Sequence, residues 1–298
     1  MDELSKKKQF LQLQFSILLL VCSLLPDFGS AMGSSLGSAI GGAAGSLLSG
    51  PGLIVIVVRL VALVFGGMAL FAFYKDDKNL AVPFLCTVCG GMAVALLTLI
   101  PGTPFWLDYI ALAALIAGLC LAKNSLGVSW NTVSSAGAYM ILLACLLHCY
   151  YGIDPKISTS IAALAGLVMY LMGLGRLRQS LDEAGTGGVS KLKIAVWLGI
   201  VGAVVGVIPL LGTIVAGILG IVAFIFEFLG YSALMKSEPL HEEGRDGAGK
   251  LRISMIVMVV AAVVGFIPLM GIVAGILTLV ALWFIFQGWS KILFGLEQ

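Results

Sequence analysis

Cys86-Thr-Val-Cys89 has the spacing of dithiol redox centres and of metal-binding knuckles. Thiolates so placed could exchange disulfides, which makes Cys86 and Cys89 the candidate redox pair. A second sulfur-rich stretch holds Cys145, His148 and Cys149. A joint zinc site would require both groups at one depth. Cys86 and Cys89 fall in the inner half of their apolar segment, whereas His148 and Cys149 fall near the outer end of theirs. No metal site is expected. Cysteine as a small apolar packing residue is the competing role.

Two ionisable residues interrupt long apolar runs, Arg59 and Glu227. A charge at membrane depth is costly, so each is a functional candidate. Glu227 leads as a proton or cation acceptor, because the closely similar segment further on has Ile285 in its place. The alternative for Glu227 is a carboxylate reaching the inner interface or held by a neighbour's hydrogen bond. Arg59 could extend its long stem outward and be inert. The two sit at depths that differ by roughly 10 Å at helical rise, so a direct ion pair is not expected. His241, Glu242 and Glu243 lie in a mixed-charge, glycine-containing stretch that reads as a solvated turn. Trp106, Tyr150, Tyr231 and Trp289 lie near helix ends and read as interfacial anchors. Ser-His-Asp and His-Glu-x-x-His arrangements, Walker A loops and Gly-x-Gly-x-x-Gly turns are absent. No catalytic residue or cofactor is therefore assigned, and the chain reads as non-enzymatic. A thiol-disulfide oxidoreductase using Cys86 and Cys89 is the enzymatic alternative.

The elements that must position these residues follow from composition. Hydrophobic residues form 60% of the 298-residue chain and charged residues 11%, against about half and a quarter in soluble domains. Apolar runs near 20 residues recur between short polar loops, as in transmembrane helices. Spans must pair every backbone polar group internally, and the alternating ten-residue segments of a barrel are missing. The expected fold is all-α, a polytopic transmembrane bundle. A net charge of +2 gives no basis for nucleic-acid binding. The partners expected are the lipid bilayer and copies of the chain or other membrane subunits.

Two stretches, 206–224 and 265–282, are near copies, GVIPLLGTIVAGILGIVAF and GFIPLMGIVAGILTLVAL. Each is an apolar run, Ile-Pro-Leu, and a second apolar run. Pro51, Pro101, Pro155, Pro209 and Pro268 all separate apolar runs, at intervals of 50, 54, 54 and 59 residues. Proline suits a turn between two spans because it cannot continue a helix interior without cost. The pattern predicts tandem αα-hairpins with proline tips. Segments 175–178, 230–233 and 288–291 are expected to mark the same place in the last three. Lysines and arginines gather at the open ends, which the positive-inside rule places in the cytoplasm.

The N-terminal part, 1–28, places lysines before a short apolar run and reads as a signal peptide or signal anchor. In 29–50, Gly29, Gly33, Gly37, Gly41 and Gly45 recur every fourth residue. This is a glycine stripe for helix packing, oligomerisation or a pore, or else a flexible linker. Residues 51–180 hold degenerate hairpins, and 181–298 hold the homologous pair. Nine spans after the N-terminal segment are expected. The expected location is the inner membrane of a bacterial cell, with the C-terminus cytoplasmic. The function read from this is a transporter, channel or membrane-complex subunit of unassigned substrate.

Overall fold

The computed structural model describes residues 3–24, 52–76, 82–97, 106–130, 132–153, 157–206, 208, 211–265, 267 and 270–297. Among these residues the regular structure is helical throughout, with no strand. The helices are α1 (Glu3–Leu24), α2 (Gly52–Asp76), α3 (Val82–Leu97), α4 (Trp106–Leu126), α5 (Val133–Ile153), α6 (Ile157–Leu177), α7 (Glu183–Val205), α8 (Leu211–Leu234), α9 (His241–Gly265) and α10 (Gly271–Gly295). Each of the nine apolar segments after the N-terminal one is a helix. Among the described residues, four stretches, Glu183–Val205, Gly212–Leu234, Glu238–Gly265 and Ile276–Gly295, are long and apolar enough to cross a membrane. The five prolines and the glycine stripe, Gly29 to Gly45, lie outside the described residues.

The chain divides into two compact units, Met1–Ser129 with Gly152–Lys156, and Trp130–Tyr151 with Ile157–Gln298. In the first unit, α1 packs on α2 and α4, and α3 packs on α4. Its core joins Leu13, Ile17 and Leu20 of α1 to Ala62, Ala69 and Phe73 of α2, with Val88 and Leu115 from the other pair. Polar groups of α1 are also satisfied by packing. Gln12 Nε2 donates to the Phe65 carbonyl at 3.1 Å, and Ser16 Oγ to the Gln12 carbonyl at 2.9 Å.

In the second unit, α7 lies along α8 and α9 along α10. Three glycine pairs set the close approaches. A Cβ on Gly137 would sit 2.7 Å from the Gly173 carbonyl oxygen, and one on Gly173 would sit 2.6 Å from that of Gly137. The corresponding distances are 2.8 and 3.1 Å for Gly188 with Gly230, and 2.5 and 2.8 Å for Gly247 with Gly288. At each crossing the residue four places after the first glycine rests on the second glycine. These residues are Ile141, Leu192 and Leu251. Without side chains at the crossing, backbones come close enough for dense van der Waals packing, the force that holds helices together in lipid. The glycine of α6 that does this is Gly173, two residues before the Gly175 expected from the sequence. Two residues turn a helix by about 200°, so Gly175 faces elsewhere and meets only the end of Lys193.

The ends of these helices are tied as well. Asp182 caps α7: its Oδ1 accepts from the Gly185 N–H at 2.9 Å and from Ser237 Oγ at 2.6 Å, and its Oδ2 from the Glu238 N–H at 3.4 Å. The Ser237 hydroxyl, and after it the Gly185 N–H, hold this carboxyl below the usual carboxylate range. A depressed folded-state value means that the carboxylate stabilises the fold above its unfolded pKa. That stabilisation disappears as pH falls through the folded value. Asp182→Ala is therefore expected to lower the melting temperature in detergent at neutral pH, with a gap to the parent that closes in acid. An equal gap at both pH values would show that the ionised form is not what stabilises the loop.

Candidate functional site

Arg59 and Glu227 belong to different units. Arg59 does not extend outward to water. It is buried, 6% exposed, and its Nη1 donates to the Ala95 carbonyl at 3.4 Å. Ala95 lies in the last turn of α3, where carbonyls have no partner within the helix and the dipole favours a cation. Arg59 thus ties α2 to the end of α3, a structural use that the sequence reading missed.

Glu227 lies seven residues before the end of α8, about 10 Å along its axis, with apolar neighbours on either side. It is half-buried, and its Oε1 accepts the Tyr231 hydroxyl at 2.8 Å. Positions four apart share a helix face, so α8 presents the carboxyl and the phenol together. Tyr231 is itself 5% exposed. Tyr170 of α6 and Cys145 of α5 lie in the same electrostatic neighbourhood. From α10, Trp289 meets both phenols edge-on, with ring centroids 6.3 Å from Tyr170 and 6.2 Å from Tyr231. Such T-shaped contacts are favourable ring geometries.

These side chains converge because of the glycine crossings. Tyr170 and Glu227 each lie three residues before their crossing glycine, Gly173 and Gly230. Tyr231 and Trp289 each lie one residue after theirs, Gly230 and Gly288. Three helices, α6, α8 and α10, therefore bring one face each to a common polar–aromatic centre. Tyr231 and Trp289, expected at the interface, are in fact buried, Trp289 completely. Their place beside the crossing glycines turns them inward, against α6 and each other. The indole Nε1 of Trp289 has no hydrogen-bond partner among the described residues.

On α9, Arg252 lies over the Phe228 ring, 5.0 Å from its centroid, next to Glu227 in sequence. Among the described residues no lysine or arginine forms an ion pair with Glu227. On α3, Cys89 is exposed, and the Cys86 side chain lies outside what the structure describes. No group of three or more His, Cys, Asp or Glu side chains able to hold a metal ion occurs among the described residues. No protein-family model, curated protein or solved structure matches the chain.

Proposed function

We propose that the chain is a multi-pass integral membrane protein of non-enzymatic, transport type, with Glu227 as its functional carboxyl and its substrate unassigned. Supporting this is the position of Glu227, within an apolar helix and at the point where faces of α6, α8 and α10 meet. Ionisable groups at such depth face bundle interiors and mark ion or proton pathways. The architecture proposed is a row of tandem αα-hairpins with proline tips, of which α5–α6, α7–α8 and α9–α10 are three related copies. Their support is the shared crossing, a first-helix glycine with Ile or Leu four residues on, set against a second-helix glycine. By the positive-inside rule the open ends and the C-terminus face the cytoplasm. The packing of α1 into its unit supports a retained anchor.

Flux tests the reading. Purified protein in sealed vesicles, given an ion or pH gradient, is expected to dissipate it. Glu227→Gln, inserted in equal amount and equally helical, is expected to fall to the level of protein-free vesicles. Unchanged flux in Glu227→Gln would remove the site assignment. Failure of the parent to move protons or any common cation would remove the transport reading.

A further inference from the structure

We infer that the second unit binds anionic phospholipid in the two seams between its consecutive hairpins, with Lys193 and Arg252 as the cations that hold the headgroup phosphates. The inference rests on the reading of the chain as a multi-pass membrane protein and makes no use of Glu227.

The two cations are equivalent. Lys193 lies five residues after the crossing glycine Gly188, and Arg252 five residues after Gly247. Each leaves the first helix of its hairpin at the same register and leans on the second helix of the hairpin before it. At the seam of α6 and α7, a Cβ on Gly175 would meet only the Lys193 Nζ, at 3.9 Å, so the missing side chain leaves the ammonium room. At the seam of α8 and α9, the Arg252 guanidinium lies over the Phe228 ring, 5.0 Å from its centroid, and its Nη1 approaches Met235 Sδ at 3.9 Å. The hairpin α5–α6 follows no other hairpin in its unit. There the same position is Leu142, a buried apolar residue.

Neither cation is neutralised by the protein. Lys291 pairs with Asp246, and Lys250 donates to Gln287 Oε1 at 2.7 Å. Among the described residues no carboxylate pairs with Lys193 or Arg252. A ring face and a thioether hold the Arg252 guanidinium in place but leave most of its five N–H donors open. Both residues lie about 20 Å from the tip-side ends of their helices, Val205 and Gly265. In a hydrocarbon core about 30 Å thick that is the inner third, from which long basic side chains reach the headgroups.

A phosphodiester supplies what these groups lack. Its oxygens match the guanidinium fork, and it carries the opposite charge. Its acyl chains also have a surface to lie on. An exposed isoleucine follows each cation directly, Ile194 and Ile253. Free phosphate has no use for such neighbours. Arg178 at the end of α6 and Lys236 after α8 are exposed and add positive charge where headgroups gather.

Native mass spectrometry of the full chain, released from detergent with phosphatidylglycerol or phosphatidylcholine at equal concentration, reads this directly. The parent is expected to retain phosphatidylglycerol in preference, one lipid per seam. Lys193→Gln and Arg252→Gln should each halve that retention, and the double variant should abolish the preference. Arg252→Lys, which keeps the charge, should stay nearer the parent than Arg252→Gln. Arg245→Gln removes an exposed charge from the same helix, one whose Nε donates to the His241 carbonyl, and should change nothing. Equal loss in Arg245→Gln would mean that overall charge, not the seam, attracts the lipid, and would overturn the inference. Equal retention of the two lipids would do the same, as would displacement of phosphatidylglycerol by inorganic phosphate at equal concentration, the mark of a site for a soluble anion. Lys193 packs against nothing but the space at Gly175, so Lys193→Gln with parental helix content and undiminished lipid retention sinks the proposal without any doubt about folding. The measurement involves no gradient: a protein that moves no ion leaves it standing, and a protein that spans the bilayer yet ignores lipid charge removes this inference alone.

Discussion

Gly247→Val is expected to separate α9 from α10, while Gly187→Val leaves the second unit intact. A Cβ on Gly247 would meet the Gly288 carbonyl oxygen at 2.5 Å, the Lys291 Cβ at 2.8 Å and the Ile292 nitrogen at 3.0 Å. Two of these are backbone atoms of a helix and cannot swing aside as a side chain end would. Overpacking a close-packed site costs about 1–3 kcal/mol, and the two further methyls of valine place this case at or above the upper end. Nothing lies within 4 Å of the Cβ position at Gly187, which shares its helix with the crossing glycine Gly188. The pair therefore separates steric conflict from the general helix propensity of valine. Detergent-driven unfolding of full-length protein, followed by helix content, should show a large loss for Gly247→Val and a small one for Gly187→Val. Equal losses would mean that the crossing is not a close-packed contact.

That experiment bears on how far the chain could be read without coordinates. The helices themselves were legible, because length and unbroken apolar character are local properties and each predicted span is a helix. Register was not. Gly175 looked equivalent to Gly230 and Gly288, but the contact uses Gly173, and only the partner helix reveals which of two nearby glycines faces it. Glu227 stood out as a lone carboxyl in an apolar run. Tyr170 and Trp289 did not, since aromatics near helix ends look alike whether they face headgroups or a bundle interior. Distance in sequence hid their meeting: three separate crossings must form before the phenols and the indole touch. Arg59 was visible as an oddity but not as the tie to Ala95, because the open carbonyl belongs to a different helix. One clue did exist. Tyr231 and Trp289 each follow directly after a crossing glycine, and a residue next to a point of closest approach cannot face lipid on that side.

Trp289 is where the centre should be weakest to truncation. It is fully buried and touches both Tyr170 and Tyr231. Removing a buried tryptophan to alanine typically costs about 3–5 kcal/mol, through lost contacts and the cavity left behind. Each T-shaped ring pair adds about 0.5–1.5 kcal/mol to what is lost. Trp289→Phe behaves differently. Phenylalanine keeps a ring against the two phenols and removes an indole N–H that has no partner among the described residues, a group whose burial costs about 1–3 kcal/mol. The smaller ring and the relieved N–H oppose one another, so Trp289→Phe should stay within about 1 kcal/mol of the parent. Trp283, half-buried and paired with Phe286 at 5.8 Å on the same helix, supplies the control. In denaturant titrations of the reconstituted protein, the order of stability should be parent and Trp289→Phe together, then Trp283→Ala, then Trp289→Ala well below. A Trp289→Phe variant as damaged as Trp289→Ala would mean that the indole nitrogen is bonded to something essential, and that the centre is held by that bond rather than by its rings.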